Sequence, residues 1–162
     1  MLAGVGLSII LHIARQSNQV RLVRWLFDEP GGRPLETPPP ATIAAGETVV
    51  LSPYGSLFFA SAQSFRAQLP TPAERADGAY VVIRLRGTEE LGVTFLTTMR
   101  GYSEELAAAG ATLMLVGVNA HLAQQLHATG VEAVIGPENV FVVRPRVGDS
   151  LVAALEAIAR RN

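Results

Sequence analysis

Gly87-Thr88-Glu89-Glu90-Leu91-Gly92-Val93-Thr94-Phe95-Leu96 separates two runs of different period. Ahead of it, Tyr80-Val81-Val82-Ile83-Arg84-Leu85-Arg86 is apolar and β-branched, the composition of a strand. After it, apolar residues recur at Phe95, Met99, Tyr102 and Leu106, which is one face of a helix. The stretch therefore reads as a polar loop that closes a strand, with Thr94 in the first turn of the next helix. In open α/β sheets this end of a strand is where ligands bind. Free N–H groups and the positive dipole end of the helix also favour an anion there.

Outward from this loop the same alternation continues. The helix from Gly92 ends at Gly110, a residue suited to a C-cap. Thr112 to Val118 is almost continuously apolar, as in a strand covered on both faces. Asn119 can cap a helix that ends at Gly130. Val140 to Val143 reads as a short strand. Asp149 or Ser150 then caps a last helix carrying Leu151, Leu155 and Ile158. On the other side, Glu47 to Leu51 reads as a strand ended by Pro53 and Gly55. Phe58 to Leu69 follows as a helix with Phe58, Ala62, Phe65 and Leu69 on one face. Strands alternating with helices predict an α/β domain, with long crossovers between mainly parallel strands.

The beginning of the chain has a different character. Met1 to Ala14 holds ten apolar residues, interrupted by Gly4, Gly6, Ser8 and His12. As a helix it would span roughly 21 Å, short of the ~30 Å hydrocarbon core. Arg15, Arg21 and Arg24 follow with no acid before Asp28. Positive charge after an apolar segment marks the cytoplasmic side. Residues 1–17 therefore read as the end of a transmembrane helix, or alternatively as an amphipathic first helix. Val20 to Phe27 reads as an edge strand or extended linker. Asp28 to Pro40 holds five of the ten prolines and is expected to be irregular. Residues 18–45 are thus an edge strand and proline-rich linker, and residues 46–162 are the folded domain.

Composition removes several function classes. With 49% hydrophobic residues the chain can build a core, so global disorder is excluded. The net charge of −1 gives no basic excess for nucleic acid. No cysteine is present, so disulfides and thiolate metal sites are excluded. Gly4-Val5-Gly6 lacks the preceding strand of a dinucleotide fingerprint. Gly101-Tyr102-Ser103 lies within a helix and lacks the closing glycine of a nucleophile elbow. His121 and His127 are about 240° apart around a helix and do not share a face. The residues suggest no catalytic centre, cofactor or metal.

The loop and its flanks resemble the STAS domain, shared by anti-sigma-factor antagonists and the cytoplasmic ends of SulP-type anion transporters. In that family the strand-to-helix junction reads Asp, small residue, Ser or Thr, Gly. Here Gly92, Val93, Thr94 and Phe95 occupy those places, so the hydroxyl is kept at Thr94. With Gly92 in the Asp place, no carboxylate there can assist phosphoryl transfer. Thr94 is therefore expected to be an unmodified first-turn residue. Gly55-Ser56-Leu57-Phe58-Phe59-Ala60-Ser61-Ala62 is similar to the opening of the first helix in SulP STAS domains. Ile135-Gly136-Pro137-Glu138-Asn139-Val140-Phe141 is similar to the family's last strand.

The resemblance implies a STAS-like single domain with a mixed sheet of four to five strands, the earliest antiparallel, preceded by an N-terminal helix. It implies a non-enzymatic regulatory domain of a sulfate, bicarbonate or dicarboxylate transporter, at the cytoplasmic face of the inner (plasma) membrane. The implied partners are the transmembrane domain of the same polypeptide, a second copy, and a nucleotide or protein regulator. Thr94 is the phosphoacceptor-equivalent residue, and Thr88, Glu89, Glu90, Gly92, Thr97 and Arg100 form the expected interaction surface. Two alternatives stand beside this reading. One is a free-standing switch resembling an anti-sigma-factor antagonist, and the other is a small α/β enzyme or nucleotide-binding protein.

Overall fold

Val81-Val82-Ile83 and Leu113-Met114-Leu115-Val116 are apolar at every position because the strands they form are covered on both faces. The computed structural model describes residues 20–28, 32–57 and 62–161. Among the described residues the strands are β1 (Arg21–Leu26), β2 (Leu35–Thr37), β3 (Thr42–Ile43), β4 (Thr48–Tyr54), β5 (Thr71–Pro72), β6 (Tyr80–Arg84), β7 (Thr112–Val118) and β8 (Val140–Val142). The helices are α1 (Ala62–Arg66), α2 (Val93–Ala108), α3 (Ala120–Ala128), α4 (Val131–Ile135) and α5 (Asp149–Arg161). Six strands form one mixed sheet in the order β2-β1-β4-β6-β7-β8. β4, β6, β7 and β8 run parallel, while β1 is antiparallel to both of its neighbours. β3 and β5 make a separate two-residue parallel pair.

Side-chain alternation along the strands sends two cores to opposite faces. Leu22, Leu51, Ile83 and Leu115 meet Phe65 of α1, Phe95, Met99, Tyr102 and Leu106 of α2, and Leu122 and Leu126 of α3. The apolar stripe read from residues 95–106 is thus the inner face of α2. Phe65 and Phe95 lie with ring centroids 5.2 Å apart. Tyr102 is buried, and its hydroxyl donates to the Pro70 carbonyl at 2.7 Å. That bond satisfies a polar group which burial holds above its ordinary ionisation range. On the opposite face, Val50, Tyr80, Val82, Met114 and Val116 pack against Leu151, Ala154 and Ile158 of α5.

Several expectations need correction. The sheet has six strands rather than four to five, because β2 forms inside the proline-rich segment expected to be irregular. Leu35–Thr37 lies between Pro34 and Pro38, so its three amides remain available, and an edge strand pairs on one side only. Val20 to Phe27 supplies a strand, but β1 is second in the order and β2 is the edge. Pro53 does not end β4, which continues to Tyr54. Pro53 lies opposite Leu22, whose N–H donates to Gln68 Oε1 at 2.8 Å instead of to β4. That position needs no amide hydrogen from the proline. One further helical turn, α4, follows the glycine expected to end the preceding helix. The expected helix over residues 1–17 and the start of the Phe58 helix lie outside the described residues.

Candidate functional site

The loop that separates β6 from α2 is built by backbone constraints at both ends. The Leu85 N–H donates to Val116 O at 2.8 Å, and the Thr88 N–H turns back to Leu85 O at 2.9 Å. Gly87 takes a φ of +87° within this turn, a conformation that costs a side-chain-bearing residue energy. Leu91 is buried and anchors the far end. Gly92 then caps α2 in extended conformation, and as a glycine it offers no side-chain acceptor.

Two amide side chains, one at the N-cap of α3 and one within it, hold the loop between these anchors. Asn119 caps α3 by accepting from the Leu122 N–H at 2.7 Å. Its Nδ2 donates to Thr88 O at 2.8 Å. Gln125 makes a reciprocal pair with Leu91, accepting from its N–H at 2.9 Å and donating to its carbonyl at 2.7 Å. His121 Nε2 lies 3.8 Å from Glu90 Oε2 on the exposed side. The sequence marked Asn119 as a helix cap, but nothing in the local pattern marked its second role or that of Gln125. Those bonds join residues more than thirty positions apart.

The clamp makes a specific stability prediction. Asn119→Ala removes both the cap and the bond to Thr88. It is expected to cost about 1–2 kcal/mol in urea unfolding. Faster amide exchange at residues 88–91 should accompany the loss. Wild-type exchange in that loop would show that Asn119 does not hold it.

The expected site residues fall into two groups. Thr88, Glu89 and Glu90 border a depression of about 350 Å³, closed on its other side by Gly55, Ser56 and Leu57. Thr97 and Arg100 border a groove of about 370 Å³ with Val93, Leu96, Thr129 and Val131. Thr94 lies between the two groups, exposed in the first turn of α2. Val93 beside it is 80% exposed. The Arg100 guanidinium donates to Thr129 O at 3.1 Å, so it also braces the end of α3. Thr97 and Thr98 turn their hydroxyls back to the carbonyls of Val93 and Thr94. The outcome is a braced, mixed-charge surface with two shallow depressions, and Glu89, Glu90 and Arg100 are its charges. His121 and His127 are both exposed, and the latter faces Glu132 at 2.8 Å.

Among solved structures, a sulfate transporter family protein from Wolinella succinogenes is similar over 74% of this chain and 89% of its own. The TM-score is 0.54 and the identity 19%. The murine solute carrier 26 family member A9 anion transporter, in its inward-facing state, matches over 98% of this chain with a TM-score of 0.62 and 15% identity. This chain spans 25% of that transporter. At these identities the likeness concerns the fold. No curated protein gives a significant match. The profile of the STAS domain matches residues 39–149, which include the parallel strands, the loop and α2, and the chain therefore belongs to the STAS domain family.

Proposed function

We propose that this chain is the cytoplasmic regulatory STAS domain of a SulP-type secondary anion transporter, at the cytoplasmic face of the inner (plasma) membrane. The observation that carries this reading is the likeness of almost the whole chain to one quarter of an anion transporter. The apolar start of the sequence and the arginines after it support it as well. Among the described residues, no helix is long and apolar enough to cross a membrane. In this reading the membrane part of the same polypeptide binds and moves the anion. The domain performs no catalysis and acts through contact.

The loop and α2 surface supply the contact. A domain changes transport only when it touches two transport conformations differently. A surface braced by Asn119 and Gln125 suits that task, because force on it reaches the core without being absorbed by loop motion. Exposed Thr94 without an Asp before it acts here as a surface residue of the first helical turn.

Anion uptake by the intact transporter carrying Glu89→Lys tests the reading. Glu89 is exposed, so stability should change by about 0.5 kcal/mol or less while uptake rate shifts. Arg100→Glu should shift uptake too, with a stability cost of about 1 kcal/mol for the bond to Thr129. Wild-type uptake in both variants at normal membrane levels would remove this surface from the mechanism. A coding sequence with no hydrophobic spans ahead of Met1 would favour the free-standing switch.

A further inference from the structure

The face of the sheet opposite α2 carries a feature that the loop does not involve. α5 packs over β6, β7 and β8, near one side of the sheet. A cleft of about 690 Å³ lies between its first turns and β1. That volume falls within the range of small-molecule sites. Trp25 and Phe27 form one apolar wall, and Leu151, Val152 and Leu155 form the other. Arg84, Arg146 and Asp149 are the charged residues of the lining.

Arg84 is the informative member. It is half-buried, and its guanidinium carbon lies 3.6 Å from the centroid of the Trp25 ring. One nitrogen donates to the buried Ser52 hydroxyl at 3.0 Å. Among the described residues, no carboxylate comes within ion-pair distance of Arg84. The nearby Glu36 is already taken, accepting from Trp25 Nε1 and from the Tyr54 hydroxyl. The cation is therefore in direct contact with a π-face and one neutral hydroxyl, with the Glu36 charge acting on it only from beyond ion-pair distance, while further N–H donors of its fork stay uncommitted.

We propose that this cleft binds a small organic monocarboxylate with an apolar body. The two carboxylate oxygens match the planar fork of Arg84. The apolar body lies along Phe27, Leu151, Val152 and Leu155. Within the lining, Arg84 and Arg146 set two positive charges against the one negative charge of Asp149, and the Glu36 charge lies just outside it on Trp25 and Tyr54, so a single negative charge is the most that the cleft complements. A polyphosphate would bring its excess charge against Asp149. This chemistry is independent of whether the domain regulates transport.

The test uses a built-in reporter, because Trp25 is the sole tryptophan of the chain. The 162-residue protein is titrated with octanoate, with octanol and with inorganic phosphate, below the micellar range. Trp25 emission and titration calorimetry are read in parallel. Octanoate is expected to give a saturable transition, whereas octanol and phosphate should need at least tenfold higher concentration. Arg84→Met should raise the octanoate midpoint roughly ten- to a hundredfold, the loss of a charge-assisted hydrogen bond. Val152→Glu places a like charge on a wall residue that is 53% exposed, where folding is not at stake. It should weaken octanoate by a similar factor, and Arg146→Gln should weaken it several-fold. Octanol as effective as octanoate would reduce the cleft to an apolar patch. Phosphate as effective as octanoate would reduce it to an unselective cation. Wild-type midpoints in the variants would overturn the site.

Discussion

Phe95→Ala is expected to destabilise the domain by roughly 3–5 kcal/mol, the largest effect of any single side-chain truncation near the loop. Phe95 is 1% exposed and lies in the first turn of α2, directly after the braced loop. The truncation removes its contact with the Phe65 ring and leaves a void between α1, α2 and the sheet. Single domains carry about 5–15 kcal/mol in total, so this variant should be near the edge of folding. Urea unfolding checks it through a lowered midpoint at unchanged slope. A loss below about 1 kcal/mol would mean that this end of α2 does not carry the core.

Gly117→Ala is expected to cost about 2–4 kcal/mol, although only one methyl group is added. Gly117 has a φ of +74° at the irregularity where β7 changes its pairing with β8. A Cβ there would meet Arg86 N and Cβ at 3.0 Å and its Cα at 3.2 Å. Those are mainly backbone atoms and cannot swing away. Gly46→Ala is the control, because Gly46 has a φ of +70° with open space around it. It pays the same backbone penalty, about 1–2 kcal/mol, without the collision. Equal losses in the two variants would show that Arg86 is not closely packed against β7. Because Arg86 leads into the Gly87 turn, Gly117→Ala should also alter amide exchange in the 88–91 loop.

The parts of this structure that could be read in advance are those whose cause is local. The Phe95, Met99, Tyr102 and Leu106 stripe, the continuous run Thr112 to Val118 and the Asn119 cap each follow from a period or a side-chain type acting within a few residues. β2 could not be read, because its three residues carry no alternation and exist as a strand only through pairing with β1. Pro53 argued for an ending that the turned-away amide of Leu22 makes unnecessary. The family resemblance supplied the antiparallel first strand, which no local pattern encodes. At the candidate site the loop and its exposed charges were visible. The Gln125 clamp and the stacking of Arg84 on Trp25 were not, since each joins residues brought together only by the finished sheet.

The antiparallel course of β1 has a consequence for any polypeptide attached ahead of it. Arg21 pairs with Tyr54 at the carboxyl end of β4, the same end at which β6 opens into the Glu89 loop. The entry point itself is fastened, with the Gln68 side chain donating to Val20 O at 2.9 Å. A domain tethered there would face the same end of the sheet as the loop, and covalent attachment would raise its effective concentration. Contacts between the two could then be individually weak, invisible when the pieces are mixed as separate proteins, and still saturated in the joined molecule.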